Sequence, residues 1–242
     1  AESPARVVWV ADDGTGDYLL LSAALDAITD AGVNKPYVIK IAPGIYTETT
    51  PVVLKTYVDV EGSGQDITTI ECACGSDNWD ASAAVMSATA ITAEIRHLTI
   101  NNTGGGKDTS FGLYTNSVTN GSFSMLHVTA TATGGTDTIG VSNEFSSSPL
   151  MTNVTATATG GNSNYGVFNY SSSPSMNNVT ATATATGGND SYGVYNDSSS
   201  PSMNNVTATA TGGTSANFGV GNFGSSSPSM NNVTATATGG TD

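Results

Sequence analysis

Tyr192-Gly-Val-Tyr-Asn-Asp-Ser-Ser-Ser-Pro-Ser-Met-Asn-Asn-Val-Thr-Ala-Thr-Ala-Thr-Gly-Gly213 is one copy of a unit that recurs through the second half of the chain. Its aromatic-or-Ile–Gly pair falls at Phe111-Gly112, Ile139-Gly140, Tyr165-Gly166, Tyr192-Gly193 and Phe218-Gly219, spaced by 28, 26, 27 and 26 residues. A weaker copy precedes them, with Ile95, His97 and Leu98 lying 30 residues before Met125, His127 and Val128. Within a unit the period is two: Val206, Ala208 and Ala210 point to one face, and Thr207, Thr209 and Thr211 to the other. Ser-Ser-Ser-Pro and Gly-Gly punctuate these strands as turns. Short strands with one apolar face, repeated every ~26 residues, make a β-solenoid, because stacked coils bury a core that one coil cannot.

Stacking aligns equivalent residues into ladders. One expected interior column is Val128, Val154, Val179, Val206 and Val233; a second is Met125, Met151, Met176, Met203 and Met230. A third is Phe111, Ile139, Tyr165, Tyr192 and Phe218, with Tyr192 and Val194 alternating against Gly193 and Tyr195. Asn143, Asn169, Asn196 and Asn222 fall at a strand end, where an amide ladder is expected at a corner. His97 and His127 share a column with Asn153, Asn178, Asn205 and Asn232; a partly exposed polar ladder is preferred there to a two-histidine metal site, which lacks a third ligand.

Outside, the alternation builds an array of Thr129, Thr131 and Thr133; Thr155, Thr157 and Thr159; Thr180, Thr182 and Thr184; Thr207, Thr209 and Thr211; and Thr234, Thr236 and Thr238. Spacings of ~6.7 Å along a strand and ~4.8 Å between coils are expected. The third unit carries an extra Thr-Ala pair between Ala183 and Thr186, which should bulge the strip. Such charge-free arrays resemble the ice-binding faces of β-helical antifreeze proteins, while Thr also suits any soluble strand surface.

Charge separates two stretches of one continuous domain. Residues 1–107 hold an N-terminal strand, a capping helix and irregular first coils, with all six basic residues; residues 108–242 hold the five near-identical repeats, without Lys or Arg. Only 11% of the 242 residues are charged, against about 25% in ordinary proteins. A formal net charge of −14 without cations across the repeats argues against nucleic acid and anionic membranes as partners. No stretch approaches the ~20 apolar residues of a spanning helix. The chain starts at Ala1 without Met, as a signal peptidase would leave it, so a secreted protein at the cell surface or outside the cell is expected. Candidate glycosylation positions are Asn101, Asn120, Asn153, Asn169, Asn178, Asn189, Asn196, Asn205 and Asn232.

In the first stretch, Val7-Val-Trp-Val10 reads as a buried strand. Leu19, Leu21, Ala24, Leu25 and Ile28 form a helical stripe over roughly residues 19–30, closed by Gly32. Asp12, Asp13 and Asp17 surround a Gly-rich turn, where shaping the turn and capping the helix outweigh cation binding. Cys72-Ala-Cys74 places both thiols on one strand face, and two small buried thiols are favoured over a strained bridge.

Asp13-Gly-Thr-Gly-Asp-Tyr18, the Ala23-Ala24-Leu25 helix, Ile39-Lys-Ile-Ala-Pro-Gly-Ile-Tyr-Thr-Glu48 and Val60-Glu-Gly-Ser-Gly64 resemble the opening of pectin methylesterases. The resemblance covers residues 7–75. It implies an all-β, right-handed parallel β-helix of the pectate-lyase-like superfamily with an N-terminal capping helix. It also implies a site in which two Asp residues, helped by Gln and Arg, cleave a methyl ester on the exterior of one sheet. None of the family's Gln-Asp-Thr-Leu, Asp-Phe-x-Phe-Gly and Leu-Gly-Arg-Pro-Trp motifs occurs, and only Gly44, Tyr46 and Glu48 match its Gly-x-Tyr-x-Glu element. Asp190 and Asp197 lie seven apart on different sides of one coil.

No catalytic residue, cofactor or metal is therefore assigned from sequence. The expected role is non-catalytic: structural, adhesive or filament-forming, with coils stacking end to end beyond Asp242 and Val7, Val8, Trp9 and Val10 as the donor strand. The alternatives are ice binding on the Thr array and a carbohydrate-binding or pectinesterase-like activity, with ice or glycans as the corresponding partners.

Overall fold

The computed structural model describes residues 5–240; Ala1 and the terminal Thr241-Asp242, on which the expectations of secretion and of an open end rest, lie outside the described residues. Two parallel sheets run back to back along a right-handed solenoid. The larger stacks Arg6–Val10, Tyr37–Ile41, Val58–Glu61, Ala93–Asn102, Phe123–Thr133, Leu150–Thr159, Ser175–Thr184, Ser202–Thr211 and Ser229–Thr238 in that order. The smaller stacks Val52–Val53, Ala84–Thr89, Thr109–Asn116, Asp137–Glu144, Ser163–Tyr170, Asp190–Asp197 and Ala216–Phe223. Each repeat contributes one strand to each sheet, as its two punctuated apolar segments dictate.

A seven-residue helix, Leu21–Ala27, closes the N-terminal end and buries Leu21, Ala24 and Leu25 against the first coil. Leu20 gives no side-chain cap at the N-terminal end, and at the C-terminal end the Ile28 N–H donates to the Leu25 carbonyl at 3.1 Å. Glu48, itself buried, accepts from the Ser22 backbone N–H at 3.0 Å and from the Ser22 hydroxyl at 2.6 Å. Lys55 Nζ donates to the Leu25 and Ile28 carbonyls at 2.6 and 3.1 Å, where a cation also meets the negative end of the helix. The Gly-x-Tyr-x-Glu element thus serves the fold. Tyr46 fills the core and its hydroxyl donates to the Ala42 carbonyl at 3.0 Å, while Glu48 holds the cap. Asp13 and Asp17 are spent on the turn, accepting from the Thr15 and Trp9 N–H groups, each at 2.9 Å.

The Val column is in register, interior and buried through Val206, and the Met column is buried through Met203; on the last strand Met230 is 51% exposed. The corner amide ladder also forms. Asn143, Asn169 and Asn196 each donate through Nδ2 to Oδ1 of the next Asn, ending at Asn222, at 2.8–2.9 Å.

The aromatic column is not interior, which corrects the expected alternation. Phe111, Ile139 and Tyr165 belong to a cluster separate from the main core, on the outer face of the smaller sheet. The cause is the glycine that follows each of them. A Cβ on Gly166 would lie 2.6 Å from the Gly193 carbonyl oxygen and 2.7 Å from the Thr182 nitrogen of the facing sheet, and Gly140 and Gly193 are as confined. Here the two sheets come closest, and the ladder pairing steps over the glycine, so that it and the following Val both face inward. Tyr192 and Tyr195 therefore share the outer face, with ring centroids 5.1 Å apart.

The His/Asn column is the sharpest bend of the larger sheet. His97, His127, Asn153, Asn178, Asn205 and Asn232 all have φ between 52° and 56°, the left-handed region that Asn and His tolerate better than most residues. The two imidazoles stack at 5.2 Å, and each Asn from Asn178 onward donates to its predecessor at 2.7–3.1 Å. Asn205→Val should cost about 1–3 kcal/mol, because a β-branched side chain resists this conformation. Asn205→Gly should cost less. Equal losses for the two, measured by urea unfolding, would contradict a backbone origin.

The neighbouring outer column shows how the first coils handle charge. Lys40 Nζ lies 3.3 Å from Glu61 Oε1, and Glu61 Oε2 lies 2.8 Å from Arg96 Nη2, so the sign alternates from coil to coil. In the repeats Leu126, Thr152 and Asn177 continue the column without charge. The extra residues of the third repeat do not bulge the Thr strip, because Thr184 pairs with Thr159 and Thr211 and the surplus Ala185-Thr186 passes into the turn. Cys72 and Cys74 are joined as a disulfide, in contrast to the two thiols expected.

Candidate functional site

The outer face of the smaller sheet carries two parallel aromatic ladders. In the first, Tyr165, Tyr192 and Phe218 stack at 5.3 and 5.4 Å. In the second, Phe168, Tyr195 and Phe223 stack at 5.0 and 4.8 Å. Register places Gly221 opposite Tyr195, and the Phe223 ring folds over that glycine to fill the missing place. Each such pair contributes about 0.5–1.5 kcal/mol beyond area burial. Trp79, from the segment before Ala81–Ala83, lies across Phe111 and Phe168 at 5.4 and 5.2 Å. The first ladder ends in an exposed ring, Phe218 being 43% accessible, and the second in the half-buried Phe223.

Beside the first ladder, at the start of the same strands, Asp137, Ser163 and Asp190 occupy one column. Burial pushes the Asp137 carboxyl above the ordinary carboxylate range, and the nearby charge of Asp108 adds to this, while the Ser163 hydroxyl offsets part of it. Asp108 belongs to the preceding coil and is exposed; its carbonyl accepts from the Asp137 N–H at 2.8 Å, and its carboxylate from the Thr136 hydroxyl at 3.3 Å. Burial likewise raises the Tyr165 hydroxyl, helped by the Asp137 charge, so it remains a hydrogen-bond donor. The face thus combines a carboxyl held toward its neutral form, an exposed carboxylate one coil away, and two hydroxyl donors beside an aromatic platform.

Sequence reasoning passed over Asp108 and Asp137. The signal was present: Thr136-Asp137-Thr138-Ile139 keeps the Asp-Thr pair and the following aliphatic residue of Gln-Asp-Thr-Leu and departs at the first position. In the next coil the register position holds Ser163, so a second carboxylate stands in the preceding coil instead of the following one. Asp190 and Asp197 stand at opposite ends of one strand.

The fifteen Thr residues lie on the larger sheet, three columns in register and facing outward, on the opposite side of the solenoid from this face. Among the glycosylation candidates, Asn169 and Asn196 are fully buried in the interior ladder, where a glycan has no room; the other seven are partly or fully exposed. Val7, Val8, Trp9 and Val10 form the first strand of the larger sheet and pair with Tyr37–Ile41. No helix among the described residues is long and apolar enough to cross a membrane.

The sequence profile of the family described as Pectinesterase matches residues 7–159, more than half of the chain and the whole Asp108–Asp137 region. The chain belongs to the pectinesterase family. No curated protein matches it closely. Among solved structures, pectin methylesterase from carrot is similar at a TM-score of 0.60 and 18% identity, over 86% of this chain and 65% of that one. Pectin methylesterase PemA from Erwinia chrysanthemi gives 0.57 and 15%, over 84% and 66%. The enzyme from Aspergillus niger gives 0.55 and 12%, over 86% and 75%. At these identities the likeness establishes the fold, and the chain spans just under two thirds of the carrot and Erwinia structures.

Family membership corrects the expectation of a non-catalytic structural, adhesive or filament-forming protein. Of the readings drawn from sequence, the carbohydrate-active one fits the family, and the structural and ice-binding ones do not. The non-catalytic expectation rests on the absence of the family's catalytic motifs and on the few acids after residue 107. Asp137 escapes it because Thr136 stands where the motif has Gln and Ile139 where it has Leu.

Proposed function

We propose that this pectinesterase-family chain hydrolyses methyl esters along a polyuronide of the pectin type, taking the polymer on the outer face of the smaller sheet. The observation that carries this reading is Asp137, a carboxyl raised by burial beside the exposed Asp108 and flanked by aromatic rings. Rings stack on the apolar faces of sugars, and a ladder that repeats at every coil offers several equivalent positions to a repeating polymer. Two carboxyls whose environments differ divide acid and base roles. Asp108 takes a proton from water as the water oxygen bonds to the ester carbonyl carbon. Asp137 then gives its proton to the departing methoxide, leaving methanol and a free uronate. Tyr165 donates a hydrogen bond to a substrate oxygen, and Ser163 orients the Asp137 carboxyl.

Secretion fits this role, since such polymers lie outside cells and the Cys72–Cys74 bridge suits an oxidising compartment. Incubation with highly methyl-esterified polygalacturonan should release methanol and leave the polymer length unchanged. Chain scission, or no methanol, would overturn the reading. The Tyr192→Ala, Tyr195→Ala double variant should raise KM about tenfold with kcat nearly kept, because the ladder binds substrate and transition state alike. A fall in kcat at unchanged KM would place those rings elsewhere in the mechanism.

A further inference from the structure

A cavity opens on the same outer face, at the other end of the strand that begins with Asp137. Its volume is about 280 Å³, and it is lined by Trp79, Glu144, Phe145, Phe168 and Tyr170. Trp79 and Phe168 lie 5.2 Å apart, and Phe145 meets Tyr170 edge-on at 5.9 Å. Glu144 is only 2% exposed. The Ser142 hydroxyl donates to its Oε1 at 2.7 Å and the Trp79 indole N–H donates to that same oxygen. Among the described residues no donor reaches Oε2, and no Lys, Arg or His lines the cavity.

Glu144 Oε2, without a protein donor among the described residues, is not sealed from solvent, so it faces the open cavity and can accept from a group that enters it. We infer that this cavity binds a small alkylammonium ion, whose N–H groups donate to Glu144 Oε2 and whose charge and methylenes lie against the four rings. Aromatic faces attract cations through the negative charge of the ring face. Burial also pushes the Glu144 carboxyl upward, and a cation beside it would favour its charged form. A uronate would be repelled by Glu144, and a neutral sugar needs several polar partners where the pocket offers one. The net charge of −14, and the lack of Lys and Arg from residue 108 on, draw cations to this region. The site is independent of the esterase reading, since neither Asp108 nor Asp137 lines it.

Trp9→Phe leaves Trp79 as the single tryptophan reporter. Titration of that variant with butylammonium chloride, against sodium chloride at equal ionic strength, should give a saturable change in Trp79 emission. The uncharged isostere n-butanol should give at least tenfold weaker binding. Glu144→Gln should weaken butylammonium at least tenfold. Should that variant melt early, Tyr170→Ala, which removes an exposed wall, should still weaken it several-fold. No saturable change, equal binding of butanol and butylammonium, or unchanged affinity in both variants would overturn the inference.

Discussion

Asp137→Asn is expected to abolish most methyl-ester hydrolysis and at the same time to stabilise the protein at neutral pH. The first effect follows from removing the proton donor to the leaving methoxide; general acid catalysis of this kind contributes about 10²–10⁴-fold. The second follows from the sign of the shift. Burial raises the Asp137 carboxyl in the folded state, so the proton it holds favours folding below the ordinary carboxylate value near ~3.9. That advantage is lost as pH rises through the raised folded value, and above it a charge sits in a partly dry site beside Asp108. Asn keeps the size and removes the charge. The urea midpoint of the variant at pH 7 should therefore exceed that of the wild type, and the two should converge at low pH. A variant less stable than the wild type at pH 7 would show that the carboxylate is held by favourable bonds, which would leave Asp137 unsuited to donate a proton.

The largest loss of stability is expected at Asn169. Its Nδ2 donates to Asn196 at 2.8 Å and its Oδ1 accepts from Asn143 at 2.9 Å, all within the buried corner of the solenoid. Asn169→Ala leaves a buried donor on Asn143 and a buried acceptor on Asn196, each worth about 1–3 kcal/mol, and opens a small cavity. The total should be roughly 3–5 kcal/mol, read as a lower urea midpoint. Because coils interact mainly with their neighbours, the damage should reach the flanking coils first, visible as faster amide exchange in Asp137–Glu144 and Asp190–Asp197. Asn222→Ala, at the partly solvated end of the same ladder, should cost much less. Equal costs at the two positions would mean that the amides contribute by propensity and not as a connected ladder.

What could be read from the repeats followed from translation by one coil. Val128 above Val154, Met125 above Met151 and Asn143 above Asn169 need only a fixed period and parallel pairing. The face of the aromatic column needed more, because alternation fails where a glycine lets two sheets touch and the pairing steps over it. Gly140 and its equivalents carried that information, but only the approach of the facing sheet gives it a direction. Glu48 and Lys55 were legible as charges and not as the two anchors of the cap helix, since their partners lie 26 and 30 residues away. Trp79 and Glu144, 65 residues apart, meet only because the solenoid stacks their coils. Asp137 was hidden differently: only the Asp-Thr pair of the four-residue motif is present, with Ile139 in place of Leu, and the second carboxylate stands in the preceding coil.

The rate of methanol release from highly methyl-esterified polygalacturonan, followed across pH, tests the assignment of Asp137 most directly. The raised Asp137 carboxyl predicts activity that persists above the ordinary carboxylate range near ~4 and falls as pH rises further and the proton is lost. Asp137→Asn should erase that alkaline limb along with most of the rate. Absence of methanol at every pH, or a wild-type alkaline limb that survives in Asp137→Asn, would contradict a proton donor on this face.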